Sequence, residues 1–282
     1  MKSYWALIRG EHGVLTAVSS VASYLLAGGR SALYAGLIGG SAFLAEAALF
    51  AHNDLANQAE DRVNRPNAPL VTGKVSQRAA KVLVVSSAMA GLAMASALSA
   101  PALLIYIAAL ALGFFYNIKG KRVPLLGNLI VAFLTSMVYL YGMEAAYSQN
   151  IYLLLLFIAS FLANIGREFV KSAIDYHGDR AVGIRTVAAI LGPGRAASLG
   201  AYFTLASASV GLYLFYVLVR AELLVLAAGV AITTVLLLYY SIICLRGSWS
   251  KYRTGTLFAF GVTLVTLLLQ GILTVMIGSF TP

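Results

Sequence analysis

Only 10 of the 282 residues are Asp or Glu, and five of those 10 fall in two short runs. The first reads Asn53-Asp54-Leu55-Ala56-Asn57-Gln58-Ala59-Glu60-Asp61-Arg62 and the second Asp175-Tyr176-His177-Gly178-Asp179. On a continuous helix Asp54, Asn57 and Asp61 stand at i, i+3 and i+7, which predicts three oxygen-bearing side chains on one face, with Asn53 joining from its edge. Asp175 and Asp179 stand at i and i+4 and share a face as well. Carboxylates and carboxamides are the hard oxygen donors that Mg²⁺ takes, and Mg²⁺ bridges to phosphate oxygens. Lys and Arg flank both runs and would neutralise the phosphate charge that remains. The plainer alternative is solvated loop acid, screened by the nearby arginines. Against it, each run closes an apolar stretch, where polar groups are expensive and tend to line cavities.

The two runs also look like copies. Asp61-Arg62 is followed by Arg78-Ala79-Ala80, and Asp179-Arg180 by Arg195-Ala196-Ala197, at nearly the same interval. This predicts an internal repeat, about 1–120 and 121–245, within one domain spanning 1–282. Glu46 stands apart: two turns before Asp54, it lies about 12 Å deeper along a helix, and an acid inside an apolar segment calls for a functional role with a partner in the bundle. His12 and His177 read as loop histidines, and Trp5 and Trp249 as markers of a membrane interface. The single Cys244 excludes an intramolecular disulfide or a thiolate metal cluster.

The segments that position these residues are membrane spans. Sixty per cent of the chain is hydrophobic and 11% charged, against about 25% charged for a soluble domain, so a soluble fold and a disordered chain are both excluded. Nine apolar stretches can be drawn, at 13–29, 32–52, 79–98, 101–117, 125–146, 151–171, 196–219, 222–245 and 255–279. No apolar core with a cleavage site precedes the first, which is therefore expected to be a retained span. With the N-terminus in the cytoplasm, 18 of the 20 Lys and Arg fall on the inner side, leaving only Arg30 and Arg220 outside. The expected fold is all-α, with nine transmembrane helices around a central cavity, the N-terminus cytoplasmic and the C-terminus outside. The long connections after the second and sixth spans carry the acidic runs and face the cytoplasm. Long loops of this kind are usually functional. The net charge of +10 is then partly topology and partly the surroundings of an anionic substrate.

These residues together resemble the UbiA superfamily of intramembrane prenyltransferases. Asn53, Asp54 and Asp61, followed by Asn64-Arg65-Pro66, match its first acidic motif. Asp175 and Asp179, followed by Gly183-Ile184-Arg185-Thr186, match the second. Tyr116-Asn117-Ile118-Lys119-Gly120-Lys121-Arg122, with Gly127-Asn128 beyond, is similar to its third, basic loop. Within the superfamily, Gly166-Arg167-Glu168-Phe169-Val170-Lys171 and Pro124-Leu125-Leu126-Gly127-Asn128 look most like the archaeal digeranylgeranylglyceryl phosphate synthases. Asn57, Ser172 and Asn67-Ala68-Pro69 depart from the usual pattern, Ser172 standing where this subgroup commonly has Asp.

The resemblance implies Mg²⁺-dependent transfer of a geranylgeranyl group from geranylgeranyl diphosphate to the C2 hydroxyl of geranylgeranylglyceryl phosphate, in archaeal ether-lipid synthesis. It assigns metal binding to Asn53, Asp54, Asn57, Asp61, Asp175 and Asp179, with the four aspartates catalytic. The departing diphosphate would fall to Lys119, Lys121, Arg62, Lys171 and Tyr116, and the acceptor phosphate to Arg65, Lys74, Arg9 and Arg185. Tyr139 and Tyr141 are candidates to support an allylic cation. The expected partners are an isoprenyl diphosphate, a lipid-like phosphate acceptor and the bilayer, not nucleic acid, in a multi-pass protein of the cell membrane with its active site toward the cytoplasm. Two rival readings are prenylation of an aromatic acid or quinone precursor, and a cation-coupled transporter using the same acids.

Overall fold

The computed structural model describes residues 1–181 and 186–278. A short helix, α1 (Lys2–Leu7), leads into α2 (Gly10–Leu26) and α3 (Ala32–Ala56). A brief α4 (Gln58–Asn64) follows, then α5 (Gln77–Ala95), α6 (Ala100–Ile118), α7 (Leu126–Ala145) and α8 (Ile151–Ile174). Two short helices, α9 (Tyr176–Ala181) and α10 (Val187–Leu191), precede α11 (Pro193–Arg220), α12 (Leu224–Leu245) and α13 (Trp249–Gly278). Among the described residues every regular element is helical, which is the state that satisfies backbone polar groups in lipid without help from neighbours.

Eight of these helices, α3, α5, α6, α7, α8, α11, α12 and α13, are long and apolar enough to cross a membrane. The remaining long helix, α2, has 17 residues and stands where the first apolar stretch was drawn. It packs against α3, α7 and α13. All nine stretches drawn from the sequence therefore correspond to helices, and a ninth crossing rests on α2.

Local sequence sets the ends of these helices. Ser31, Ser76, Ser99, Asn150 and Thr186 sit at N-caps, each accepting a hydrogen bond from a first-turn backbone N–H, a role in which a short polar side chain satisfies an otherwise orphaned donor. Packing follows small residues. Where α8 lies along α11, a Cβ on Gly166 would come within 2.5 Å of the Gly200 carbonyl oxygen, and one on Gly200 within 2.6 Å of the Gly166 oxygen. Only paired glycines allow the two backbones this close. Around the bundle, α3 packs on α2 and α5, α8 packs on α7 and α11, and α13 returns to close against α2.

Candidate active site

The first acidic run sits where α3 breaks. Asn57 leaves the helical region at φ −116°, ψ 18°, although the i to i−4 bonds continue on either side, from Asn57 N to Asn53 O (3.1 Å) and from Asp61 N to Asn57 O (2.9 Å). The single straight helix expected across Asp54, Asn57 and Asp61 is thus kinked at its middle member. Asn57 turns its Oδ1 to Lys121, which also donates to Glu60 Oε2 at 2.5 Å. Asn53 donates instead to Asn117 Oδ1 (2.7 Å), and Asn117 in turn donates to the Leu49 carbonyl (2.9 Å), tying α3 to α6.

Asp54 is sealed from water. Its Oδ1 takes Arg65 at 3.0 Å and Arg9 at 3.5 Å, while its Oδ2 is buried without a hydrogen-bond partner. Arg65 also reaches Asp61 at 3.8 Å. Two of the three arginines assigned from sequence to an acceptor phosphate, Arg9 and Arg65, are therefore drawn onto the first acidic motif. Arg9 stands at φ 47°, in the left-handed region that a non-glycine side chain adopts at a cost, a feature that clusters at functional sites. Its guanidinium stacks 4.4 Å over Phe50. Burial, followed by the nearby Arg65, holds its pKa below the ordinary arginine value.

The second acidic run sits where α8 ends. Asp175 caps the helix, and Asp179 N bonds to Asp175 O at 2.9 Å, so the i, i+4 pairing holds. Both aspartates line a cavity of about 180 Å³. With them are Tyr116, Lys121 and Lys171, as expected, and also Glu60, Glu168, Asn128, Ser172 and Thr186. Glu60 brings the first motif to the wall that carries the second. Glu60, Glu168 and Asn128 had no role in the sequence reading. The signal for Glu168 was present, because it continues the stripe of Lys171, Asp175 and Asp179 at helical spacing. Arg62, Lys119 and Lys74 are exposed and outside the cavity lining. Arg185 lies outside the described residues.

Burial and then the Asp54 carboxylate push Asp61 above the ordinary aspartate range, and burial and then Asp175 do the same for Asp179. In each motif one carboxylate thus lies close enough to another to oppose its ionisation, a condition a cation relieves. Among the described residues no three acidic, His or Cys side chains form a complete metal cage. That fits Mg²⁺, which is held by one or two carboxylates together with substrate phosphates rather than by an all-protein cage. The unpartnered Oδ2 of Asp54 is the clearest single donor.

A second cavity, of about 70 Å³ and mostly apolar, lies within the helices, lined by Thr16, Ser20, Glu46, Leu49, Tyr106 and Tyr141 among others. The partner sought for Glu46 is Thr16, whose Oγ1 donates to Glu46 Oε1 at 2.9 Å. Tyr141 faces this cavity and shares a 2.6 Å hydrogen bond with Ser41, whereas Tyr139 is absent from its lining.

A multi-pass helical membrane protein that sets paired carboxylates and lysines in one polar mouth, above an apolar interior, is built to receive an amphiphile carrying phosphate. The chain belongs to the UbiA prenyltransferase family, whose model matches residues 14–259. It is 32% identical over 266 residues to digeranylgeranylglyceryl phosphate synthase of Methanopyrus kandleri, covering 94% of this chain and 96% of that one. The fold is also that of a solved structure described for digeranylgeranylglyceryl phosphate synthase in membranes (TM-score 0.79, 23% identity, 96% of this chain and 98% of that one). A UbiA homologue from Archaeoglobus fulgidus bound to DMAPP and Mg²⁺ superposes with a TM-score of 0.78, at 19% identity, over 97% of this chain and 99% of that one.

Proposed function

We propose that this prenyltransferase moves a geranylgeranyl group from geranylgeranyl diphosphate to the C2 hydroxyl of geranylgeranylglyceryl phosphate. The observation that carries this reading is the polar mouth, where Asp175, Asp179, Glu60, Lys121 and Lys171 share one cavity, Glu60 coming from the same acidic run as the sealed Asp54 with its unpartnered Oδ2. The acceptor follows from the Methanopyrus kandleri enzyme, similar over nearly the whole chain, and Mg²⁺ from the ligands of the Archaeoglobus fulgidus homologue.

In this proposal Asp54 and Asp61 hold one Mg²⁺ and Asp175 and Asp179 another, Asn53 and Asn57 supporting the first through their carboxamides. When bound, Mg²⁺ supplies charge neutralisation for the diphosphate oxygens. Lys121 and Lys171 orient the diphosphate and stabilise the negative charge that grows on it as the allylic C1–O bond breaks and the electron pair leaves with it. The acceptor oxygen forms the new bond to C1, and its proton leaves to the diphosphate or to water at the mouth. Arg9 and Arg65 hold the Asp54 carboxylate in place. The apolar cavity beside Tyr141 and Tyr106 shelters prenyl carbons from water.

The topology belongs to the same proposal: nine crossings with α2 as the first, the mouth toward the cytoplasm, and two repeats of about 1–120 and 121–245. Corresponding neighbours support the repeat, since α3 packs on α2 and α5 as α8 packs on α7 and α11. The direct test incubates purified protein in lipid with labelled geranylgeranyl diphosphate, Mg²⁺ and the phosphorylated acceptor, and looks for a diether product. Diphosphate release without any prenylated acceptor, for this acceptor or an aromatic one, would sink the transferase reading.

A further inference from the structure

Among the described residues two buried side-chain atoms lack a hydrogen-bond partner, and they carry opposite charge: Asp54 Oδ2 and Arg167 Nε. The first belongs to the acidic motif. The second has no place in the chemistry described so far. Arg167 lies seven residues before the end of α8, about 10 Å inside the helix terminus. Its position is fixed by the neighbouring Gly166, at the close approach of α8 and α11.

The groups facing Arg167 leave its Nε without a hydrogen bond, although the Glu168 carboxylate lies within electrostatic reach. Phe260 of α13 lies 5.9 Å below the guanidinium. Glu168, its neighbour in sequence, turns to the polar cavity and stands 4.0 Å from Lys171. The Tyr252 hydroxyl is engaged with Thr204 at 2.5 Å. The other charged groups within electrostatic reach are themselves basic: Arg253 of α13, and His12 at the start of α2, which also feels Arg9. A buried polar atom without a hydrogen bond is costly, and the basic neighbours of the guanidinium add to that cost. An anion seated among them would remove it.

We propose that Arg167, flanked by Arg253 and His12, is a second anion subsite where α13 meets α2 and α8, and that it receives the monoester phosphate of the acceptor lipid. The proposal rests on the acceptor chemistry of the preceding section. A reaction joining two phosphorylated lipids needs two separate anion sites. Lys121 and Lys171 serve one, while Arg9 and Arg65 are engaged by Asp54. A guanidinium presents a planar fork that suits phosphate oxygens. From a phosphate held there, prenyl chains would run down the adjoining apolar helices.

The test measures binding to protein in phosphatidylcholine nanodiscs of three probes without donor or added metal, geranylgeranylglyceryl phosphate, its dephosphorylated alcohol and a straight-chain phosphatidic acid, and, in a separate titration with Mg²⁺, of geranylgeranyl diphosphate. Wild-type protein is expected to hold the phosphorylated acceptor about ten- to hundredfold tighter than the alcohol, the size of a charged hydrogen-bond pair. Arg167→Gln should erase that preference and leave binding of geranylgeranyl diphosphate within about twofold. Arg253→Gln, at an exposed position that folding tolerates, should reduce the preference severalfold. A preference unchanged in both variants, or donor binding lost in parallel, overturns the subsite. Phosphatidic acid binding as tightly as the acceptor overturns the acceptor assignment in favour of bulk headgroups. A wild-type protein that forms no diether yet shows the Arg167-dependent preference overturns the proposed reaction and not the subsite.

Discussion

A carboxylate closed off from water with one oxygen unpartnered costs stability that a fold does not keep without return. Asp54 is such a group, clamped by Arg65 and Arg9 on one oxygen and bare on the other. Asp54→Asn keeps the shape and removes the charge, so we expect kcat to fall by about a hundredfold or more, the usual loss when one preorganised electrostatic group is removed. Near-normal turnover in that variant would remove Asp54 from the metal assignment. The raised pKa values of Asp61 and Asp179 give a second expectation. Both carboxyls hold their protons to higher pH than free aspartates do. On the proposed ligand set Mg²⁺ must displace those protons, so its apparent affinity should weaken on acidification, beginning above the ordinary aspartate range, and binding should release protons. Titration calorimetry in buffers of different ionisation enthalpy reads both. An affinity flat across that range would count against these two ligands.

At the level of elements, the site depends on how closely α8 can lie on α11. Gly166→Leu would drive a side chain into the Gly200 carbonyl and Thr204. We expect a loss of about 1–3 kcal/mol, typical of overpacking, seen as a lower thermal midpoint in detergent, together with lost activity as Glu168 and Lys171 shift in the cavity wall. Unchanged stability would mean that the close approach is not needed. The elements themselves were legible in the sequence, because a run of about 20 apolar residues has few other fates. The acidic motifs were legible for the same reason that they matter: charge is rare in such a chain. What was hidden depended on distance in sequence. Nothing near Arg9 announces a partner at Asp54, the pairing of Lys121 with Asn57 and Glu60 spans two helices, and the kink at Asn57 breaks a face that helical arithmetic treats as continuous. Glu168 was overlooked although its spacing was visible, since two aspartates sufficed to explain the motif. Arg167 stands in a segment that carries the family resemblance, but nothing in the sequence marks its Nε as unpartnered.

For the whole molecule, the sorting of Lys and Arg and the crossing count stand or fall together. With α2 as a first crossing, reporters fused to the two termini should fall on opposite sides of the membrane, the N-terminal one in the cytoplasm. A C-terminal reporter on the cytoplasmic side would reduce the count to the eight helices that satisfy length and apolarity and would move the whole polar mouth to the outer side. The return of α13 to α2 has a consequence in time as well as in space. Arg9 and His12 leave the ribosome first, and Arg253 with Phe260 among the last. Their common seam therefore cannot exist while the chain is being made, and a nascent protein already carrying both aspartate motifs would meet lipid phosphates with its binding surface unfinished. Completion of the last helix would then act as the step that switches the enzyme on. Co-expressed fragments divided between α12 and α13 should regain activity only together.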